Sequence, residues 1–361
     1  MLRWLKWTCA LLFIAGLAAA WIVYDYREFI HAPLQLGAPE RVIQVAPGSS
    51  ARTVAKSLVK DGIIDGEWMM LYLFRKSGLA DKLQPGPVVL TPDMTPSDLP
   101  TVLARVGKYE RRSVQILPGM NVYEIAERLQ TQRLADKKQF LSMVLDPVRS
   151  AQAGIPGKSF EGYLASGAYT FEPGTSTEDI VQAMHHRWME NWRKIVAENR
   201  GAYEAAIHRK MSDHNLVTLA SMVEKEAVVD KERPVIARVF WNRLRQKMKL
   251  QSDPTCVYPP KVIGEKPHPS RCKDPENTYS TYVIEALPPG PIAVPSSASL
   301  KAVLKPYEGP DATSLLYFVA RQDGSWTHYF SKTYKEHQNA VNYFLKGQKN
   351  NKPKGTVQPK Y

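Results

Sequence analysis

The chain has 361 residues, enough for two or three domains, and its 44% apolar content excludes an intrinsically disordered protein. A formal net charge of +13 raises nucleic acid as a partner. However, no aromatic-basic RNP string, zinc-finger spacing or helix-turn-helix signature accompanies that charge, which argues against nucleic-acid binding. In an exported protein the same charge suits anionic polymers of the cell envelope or lipid head groups.

The first 28 residues predict a membrane anchor. Arg3 and Lys6 precede an uncharged run from Trp7 to Tyr24. As a helix this run would be roughly 27 Å long, close to the roughly 30 Å of a bilayer core. The basic leading flank predicts a cytoplasmic N-terminus, one pass through the inner membrane and a periplasmic remainder. A cleaved signal peptide with a processing site at 18–20 is the alternative.

Two later segments resemble each other, and each reads as a strand, a Pro-Gly turn and an amphipathic helix. Placing Pro47-Gly48 over Pro118-Gly119 aligns apolar positions on both sides of the turn. With a helix predicted over 66–77 and a further segment over 83–90, the first copy forms a small α+β domain at 29–110. Such βα units resemble LysM-like modules, which bind N-acetylated glycans; a packing platform without sugar contacts is the alternative.

From residue 111 onward helical patterns dominate, and the predicted fold class is α+β. Helices are predicted over 123–132, 137–144, 177–198, 202–210, 215–229 and 235–246. A Pro- and Tyr-rich loop region follows, then a hairpin over 315–320 and 327–330 and a last helix over 333–345. The prediction is thus a transmembrane helix, a LysM-like domain, a mainly helical domain at 111–346 whose 111–134 segment is the second βα unit, and a disordered basic tail at 347–361.

Two carboxylates on the helix that starts at Asn215 are candidates for chemistry. The apolar spacing predicts the buried stripe of this helix: Leu216, Leu219, Ala220, Val223 and Ala227. Glu224 and Glu226 then fall on opposite borders of the stripe, while Thr218 and Lys225 point away from it. Periodicity does not choose between the two glutamates. Apolar neighbours would keep either one protonated near neutral pH, as cleavage of a glycosidic bond requires.

Two of the three cysteines predict a disulfide. Cys9 lies in the predicted anchor, whereas Cys256 and Cys272 both lie on the exported side and bracket a Pro-rich loop. In an oxidising compartment a bond between them would contribute up to about 3 kcal/mol. A zinc site that uses His268 as a third ligand is the alternative.

Four ordered blocks, ASMVEKEA, VFWNRL, LQSDPT and TYVIEALPPGPIAVP, resemble the endolytic murein transglycosylase family, also called YceG-like, from about residue 41 to 345. The resemblance implies a lytic transglycosylase that needs no cofactor or metal. It would cut the β-1,4 bond between N-acetylmuramic acid and N-acetylglucosamine inside peptidoglycan strands and leave 1,6-anhydro ends. By position, the catalytic acid falls on Glu224, with Glu226 as runner-up. The implied substrate-binding residues are Asn242, Gln251, Asp253, Thr255, Thr281 and Tyr282.

The chain departs from the family pattern in two places. Ser280 stands where the family has Asn before Thr-Tyr, and the block at 161–169 differs from the family's Pro-Asp-Thr-Tyr sequence, so the contacts of the 165–168 loop are in doubt. An anchored enzyme would act on nascent strands at the inner membrane, with peptidoglycan synthases or divisome proteins as partners.

Three other functions compete with this interpretation. The first is a muramidase that hydrolyses the same bond with Glu224 and Asp253 as its pair. The second is a noncatalytic glycan-binding or divisome scaffold protein. The third is an aminodeoxychorismate lyase, a label sometimes attached to the family, which would use pyridoxal phosphate in the cytosol; the predicted anchor argues against it.

Overall fold

A computed structural model describes residues 2–36, 40–105, 111–172, 174–258, 266–348, 350 and 353. Within the first helix, the side chains of residues 2–6 and 8–11 are not described. The contacts within the chain divide it into two units. The first comprises Met1–Arg112 and Thr170–Thr175, and the second comprises Ser113–Tyr169 and Ser176–Tyr361. Most of the basic tail predicted at 347–361 lies outside the described residues.

Helix α1 runs from Leu2 to His31 and belongs to the first unit. A search of the described residues finds no helix with both the length and the apolar character needed to span a bilayer. The membrane anchor therefore stays a prediction. The last turns of α1 join the core of the first unit, where Phe29 is buried and Tyr26 packs edge-on against Tyr72 at a centroid distance of 5.2 Å.

The small α+β unit is built on one antiparallel strand pair. Strand β1 (Arg41–Val45) pairs with β2 (Gly86–Leu90), with Arg41 opposite Leu90. Between them lie α2 (Ala51–Lys60) and α3 (Glu67–Ser77), and α4 (Leu99–Ala104) follows. Ser50 caps α2 by accepting a hydrogen bond from the Thr53 N–H. The apolar faces of these elements form one core, which confirms the βα pattern predicted for this region.

The second βα unit repeats the first in the larger unit. Strand β3 (Arg112–Ile116) leads through Gly119, whose φ is 82°, into α5 (Val122–Thr131), where Asn121 and Glu124 form a capping box. Its strand partner is β4 (Gly167–Phe171), which is distant in sequence. Sequence patterns do not predict β4, whose first three residues belong to the block that departs from the family.

The larger unit is mainly helical, as predicted. Its helices, in chain order after α5, are α6 (Lys137–Val144), α7 (Pro147–Gln152), α8 (Thr177–Glu198), α9 (Arg200–His208), α10 (Asp213–Glu226), α11 (Arg233–Arg245), α12 (Asp253–Cys256), α13 (Pro269–Cys272), α14 (Ser297–Leu304) and α15 (Tyr334–Phe344). A 3-10 turn at Asp230–Glu232 precedes α11, and another at Ala312–Ser314 precedes the last hairpin. That hairpin pairs β5 (Tyr317–Ala320) with β6 (His328–Ser331), which confirms the prediction.

Helix α10 is the buried centre of this unit. All residues from Leu216 to Val223 are buried, including Thr218 at 1% exposure. The prediction that Thr218 points away from the core was therefore wrong, whereas Lys225 is exposed as expected. The error has a simple cause: α11 and α14 both pack against α10, so its buried face is wider than a single stripe. Helix α14 had not been predicted.

Candidate functional site

The carboxylate of Glu224 is bound at the N-terminus of α14. Its Oε2 accepts hydrogen bonds from the Ser296 N–H at 2.8 Å, the Ser296 hydroxyl at 2.6 Å and the Ser299 hydroxyl at 2.7 Å. Its Oε1 lies 3.2 Å from the Arg233 guanidinium, and only 5% of its side chain is exposed. Because Ser296 is the N-cap of α14, the positive end of the helix dipole also faces this carboxylate.

Arg233 completes a closed ionic network around Glu224. The guanidinium, 9% exposed, also contacts Asp230 at 2.9 Å and donates to the Ser299 hydroxyl at 2.8 Å. All four groups that contact the Glu224 carboxylate are hydrogen-bond donors. Glu224 therefore ties α10 to α11 and α14, and its carboxylate is engaged inside the protein.

Glu226, the last residue of α10, has a different environment. It is half-buried, and its Oε1 accepts a hydrogen bond from the Ser252 hydroxyl at 2.5 Å. Burial raises the pKa of Glu226 above its ordinary value, and the negative charge of Asp253 raises it further. The Ser252 hydrogen bond and the positive charges of His328 and Arg243 oppose this shift in pKa. A carboxyl group with a raised pKa is the kind that can still carry a proton near neutral pH.

The LQSDPT block forms one wall beside Glu226. Asp253 Oδ1 accepts a hydrogen bond from the Tyr282 hydroxyl at 2.5 Å, so the predicted pair Asp253 and Tyr282 is brought together. Gln251 has a φ of 51°, its N–H donates to the Thr281 carbonyl at 3.1 Å, and its side chain is exposed. Gln251 Oε1 also accepts a hydrogen bond from the Arg243 guanidinium at 3.3 Å, and Asp253 is exposed while Tyr282 is half-buried.

Three other predicted substrate-binding residues are engaged inside the protein. Thr255 and Thr281 are fully buried, and their hydroxyl oxygens lie 3.0 Å apart. Asn242, 1% exposed, donates to the carbonyls of Ala312 and Leu315 at 2.7 and 2.8 Å. Direct substrate contact by these three side chains does not fit their burial. These three side chains stabilise the LQSDPT segment and its neighbours, because each forms hydrogen bonds with buried polar groups that would otherwise have no partner.

Arg243 joins the hairpin to this wall. Its guanidinium donates to the carbonyls of Leu316 at 2.6 Å and Leu250 at 2.9 Å, and it lies 5.1 Å from the centre of the Tyr317 ring. Burial lowers the pKa of Arg243, and the negative charge of Glu226 acts against that shift. The two groups are therefore close enough for the arginine to stabilise the Glu226 anion.

A buried histidine–glutamate pair that sequence patterns did not reveal lies close to Glu226. The His328 Nδ1 is 2.7 Å from the Glu232 Oε2, and the His328 N–H donates to the Glu232 Oε1 at 2.8 Å. Glu232 is 1% exposed and His328 is 9% exposed. The two residues are 96 positions apart, so only the folded chain unites them. The only sequence feature that could have pointed to this pair is the position of Glu232, an acidic residue immediately before α11.

The structure joins Cys256 and Cys272 in a disulfide that links α12 to α13. The Ser280 hydroxyl donates to the Cys272 carbonyl at 2.5 Å, so the serine that replaces the family's asparagine anchors this link. His268 accepts a hydrogen bond from the Ser270 N–H at the start of α13. Across the described parts of the chain, no group of three metal-binding side chains is found, and the zinc alternative lacks support there.

Glu161 of the altered block is a third buried carboxyl group. It is 1% exposed and accepts hydrogen bonds from the Val122 N–H and the Tyr258 hydroxyl, both at 3.0 Å. Burial raises the pKa of Glu161 to about 7, against the lowering effect of these hydrogen bonds and that of the Gly162 N–H. The block thus fixes the start of α5 instead of presenting its carboxyl group to solvent.

The second βα unit reaches the end of α10 through its Pro-Gly turn. The Gly119 N–H donates to the Val294 carbonyl at 2.8 Å, and the Lys225 ammonium donates to the Gly119 carbonyl at 3.1 Å. A Cβ atom at position 119 would lie 3.9 Å from the Cγ of Glu224. The turn that the repeat predicted therefore borders the end of α10.

Comparisons with known proteins match the chain over most of its length. The model of the YceG-like family covers residues 43–343. An endolytic murein transglycosylase of Bacillus subtilis is 31% identical over 326 residues, which are 84% of each chain. A protein of the same name from Streptococcus pneumoniae is 26% identical over 86% of this chain and 60% of its own.

A solved structure supports the same grouping. The 2.6 Å crystal structure of a YceG-like protein from Listeria monocytogenes is 28% identical, with a TM-score of 0.54, over 83% of this chain and 98% of that one. The resemblance seen in the sequence blocks is thereby confirmed. This chain belongs to the YceG-like family.

Proposed function

We propose that this protein is an endolytic murein transglycosylase that cuts the β-1,4 bond between N-acetylmuramic acid and N-acetylglucosamine inside peptidoglycan strands. Its relatives of that name support the activity. The observation that carries the chemistry is a single half-buried carboxyl group with a raised pKa, Glu226, beside a wall of polar side chains.

We assign the acid to Glu226 and not to Glu224, the residue that the resemblance of the sequence blocks had favoured. Glu224 is bound by three hydrogen-bond donors and by the Arg233 guanidinium, so its carboxylate is engaged inside the protein. Glu226 accepts one hydrogen bond and is otherwise destabilised as an anion by burial and by Asp253. The same short motif therefore supplies one anchoring carboxylate and one acid.

The reaction needs one proton donor that also acts as an acceptor. Protonated Glu226 donates to the bridging oxygen while the glycosidic bond breaks, and the muramyl ring passes through an oxocarbenium-like state. The resulting carboxylate then takes the proton of the ring's own 6-hydroxyl as that oxygen bonds to the anomeric carbon. The 1,6-anhydro product forms, Glu226 is again protonated and no water is consumed. Arg243 and His328 favour the transient Glu226 anion.

A muramidase that hydrolyses the same bond is the second candidate, because a second carboxylate, Asp253, is close enough to raise the pKa of Glu226. Hydrolysis needs such a partner as nucleophile or as base. Mass spectrometry of purified sacculi digested with the full chain separates the two reactions. Anhydro-muramic ends support the transglycosylase, and reducing muramic ends would show a hydrolase.

A noncatalytic scaffold is tested with the same substrate. Glu226→Gln should abolish formation of anhydro ends while the protein stays folded, as judged by circular dichroism and thermal unfolding. A scaffold predicts that this variant supports normal cell-wall growth. The enzyme assignment predicts that it does not.

We also propose that α1 anchors the enzyme in the inner membrane, with the larger unit in the periplasm. Large apolar side chains cover the described part of α1 and are exposed, with Leu12 at 73% and Trp21 at 65%. An unshielded apolar surface of this kind suits lipid. Fractionation of cells that express the full chain tests this: release of the protein by carbonate at high pH, without detergent, would contradict an anchor.

An anchor would confine cleavage to nascent strands near the membrane, beside peptidoglycan synthases or divisome proteins. The two βα units would act as LysM-like glycan-binding modules there. Pull-down of the full chain on insoluble sacculi tests the modules, provided that Glu226→Gln protein is used so that the strands stay intact. Retention that survives removal of residues 29–110 would argue against the first module.

A further inference from the structure

A basic cavity of about 970 Å³ lies between the start of α10 and the end of α11. Three arginines line it: Arg209 after α9, and Arg238 and Arg245 on α11. Glu308 is the single carboxylate among its described lining residues. No step of the transglycosylase reaction uses these groups.

The positive charge in this cavity is not fully compensated. Arg238 is nearly buried, with 12% of its side chain exposed, and its Nε donates to the Tyr307 carbonyl at 2.5 Å. Burial lowers the pKa of Arg238, and the charges of Arg209 and Arg245 lower it further, against the effect of Glu308. Glu308 lies 3.8 Å away and is 85% exposed, so solvent screens its contribution.

The two outer arginines keep donors free for a ligand. The Arg209 guanidinium lies 5.9 Å from the centre of the Trp241 ring, and one Arg245 nitrogen donates to the Thr313 carbonyl at 3.2 Å. A guanidinium has five N–H donors and pairs with a carboxylate through two parallel hydrogen bonds. Arginines arranged around an aromatic ring in a concave site therefore suit an elongated ligand that carries carboxylates.

The distance from the cavity to Glu226 fits a short peptide. Asn215 lines the cavity near the start of α10, and Glu226 ends the same helix. Eleven residues of helix correspond to about 16 Å. An extended peptide of five residues spans about 17 Å. A peptide attached to a sugar at Glu226 is therefore comparable in length with the separation between Glu226 and Asn215 at the cavity.

We propose that this cavity binds the carboxylates of the acidic peptide that peptidoglycan carries on its muramic acid residues. The inference rests on the proposed function, since it names the part of the substrate that the enzyme recognises away from the cleaved bond. It makes the cavity a determinant of which strands are cut: strands with intact peptides are bound more tightly than strands without them.

The test compares two substrates with the full chain. One is a set of glycan strands that carry their peptides, and the other is the same set after an amidase has removed them. For the double variant R209Q and R245Q, we expect KM for peptide-bearing strands to rise at least about tenfold. We expect kcat to stay within about twofold, and cleavage of bare strands to be unchanged. R193Q, which removes an exposed arginine of α8, is the matched control and should affect neither substrate.

A binding measurement keeps this inference separate from the proposed activity. Calorimetry with Glu226→Gln protein uses the amidase-released peptide as one probe and inorganic pyrophosphate as the other. Binding of the peptide that weakens at least about tenfold in the arginine double variant supports the proposal. Absence of peptide binding, or binding of pyrophosphate alone, overturns it, as does an equal loss of activity on both kinds of strand. If the wild-type protein cuts no glycan, the activity fails while peptide binding still decides this proposal.

Discussion

The two glutamates at the end of α10 lie two residues apart and occupy opposite electrostatic environments. Glu224 faces Arg233 and the N-terminus of α14, which bind its carboxylate. Glu226 faces Ser252 and the negative charge of Asp253, and its pKa is raised by burial. The comparison shows that a motif with two identical residue types does not divide their tasks by itself. The elements that each residue meets after folding do so.

The largest effect is expected from Glu226→Gln. Removing a general acid lowers kcat by roughly 10² to 10⁴. Because Glu226 makes one side-chain hydrogen bond and is otherwise destabilised as an anion, we expect the thermal midpoint to stay unchanged or to rise. Formation of anhydro ends, measured by mass spectrometry, checks the rate, and calorimetry checks the fold. If Glu226→Gln protein keeps the wild-type rate, a group other than Glu226 is the general acid.

The reverse pattern is expected from Glu224→Gln, which leaves Arg233 buried without its full counter-charge. Loss of one partner of a buried ion pair costs roughly 3 to 5 kcal/mol of the free energy of unfolding. Denaturant unfolding measures this loss. Glu198→Gln is the matched control, since Glu198 pairs with Lys301 of the same α14 but the two side chains are 42% and 48% exposed. We expect no change in the unfolding midpoint for the control, and an equally small effect of Glu224→Gln would contradict the anchoring role.

Glu161 is a third buried carboxyl group, and we expect it to make the free energy of unfolding depend on pH. Its pKa is about 7 in the folded protein against an ordinary value of 4.5, so the folded state binds the proton more tightly. The resulting stabilisation is fully present below about pH 4.5 and is lost as the pH rises to about 7. The shift corresponds to roughly 3 kcal/mol. Unfolding of wild-type and Glu161→Gln protein at pH 5 and pH 8 checks it: wild type should lose stability relative to the variant at the higher pH.

The smallest effect is expected from replacing His328, which lies close to Glu226. His328 lowers the pKa of Glu226, so His328→Gln should raise it and move the alkaline limb of the pH profile of kcat to higher pH. At a fixed pH we expect kcat to change less than about tenfold. A profile that keeps its shape while the rate falls would indicate a purely structural role for His328.

Local patterns determined most of the helices, because their apolar spacing is sufficient to define a buried face. The predicted helices at 137–144 and 177–198 match α6 and α8 in full. The hairpin and α15 were also found, since a Gly turn and a Thr-Glu capping box mark their ends. The pattern failed for β4 and for the short helices α7 and α14.

What the sequence determined by itself was the family, the order of the elements and the motif that contains the two candidate glutamates, because these depend on residues close together in the chain. The different surroundings of the two glutamates were decided by tertiary structure alone. Ser296 and Ser299 reach Glu224, and Ser252 reaches Glu226, from parts of the chain that are 26 to 75 residues away. The charge state of a carboxyl group follows from the donors, charges and solvent around it, and these are brought together only by folding.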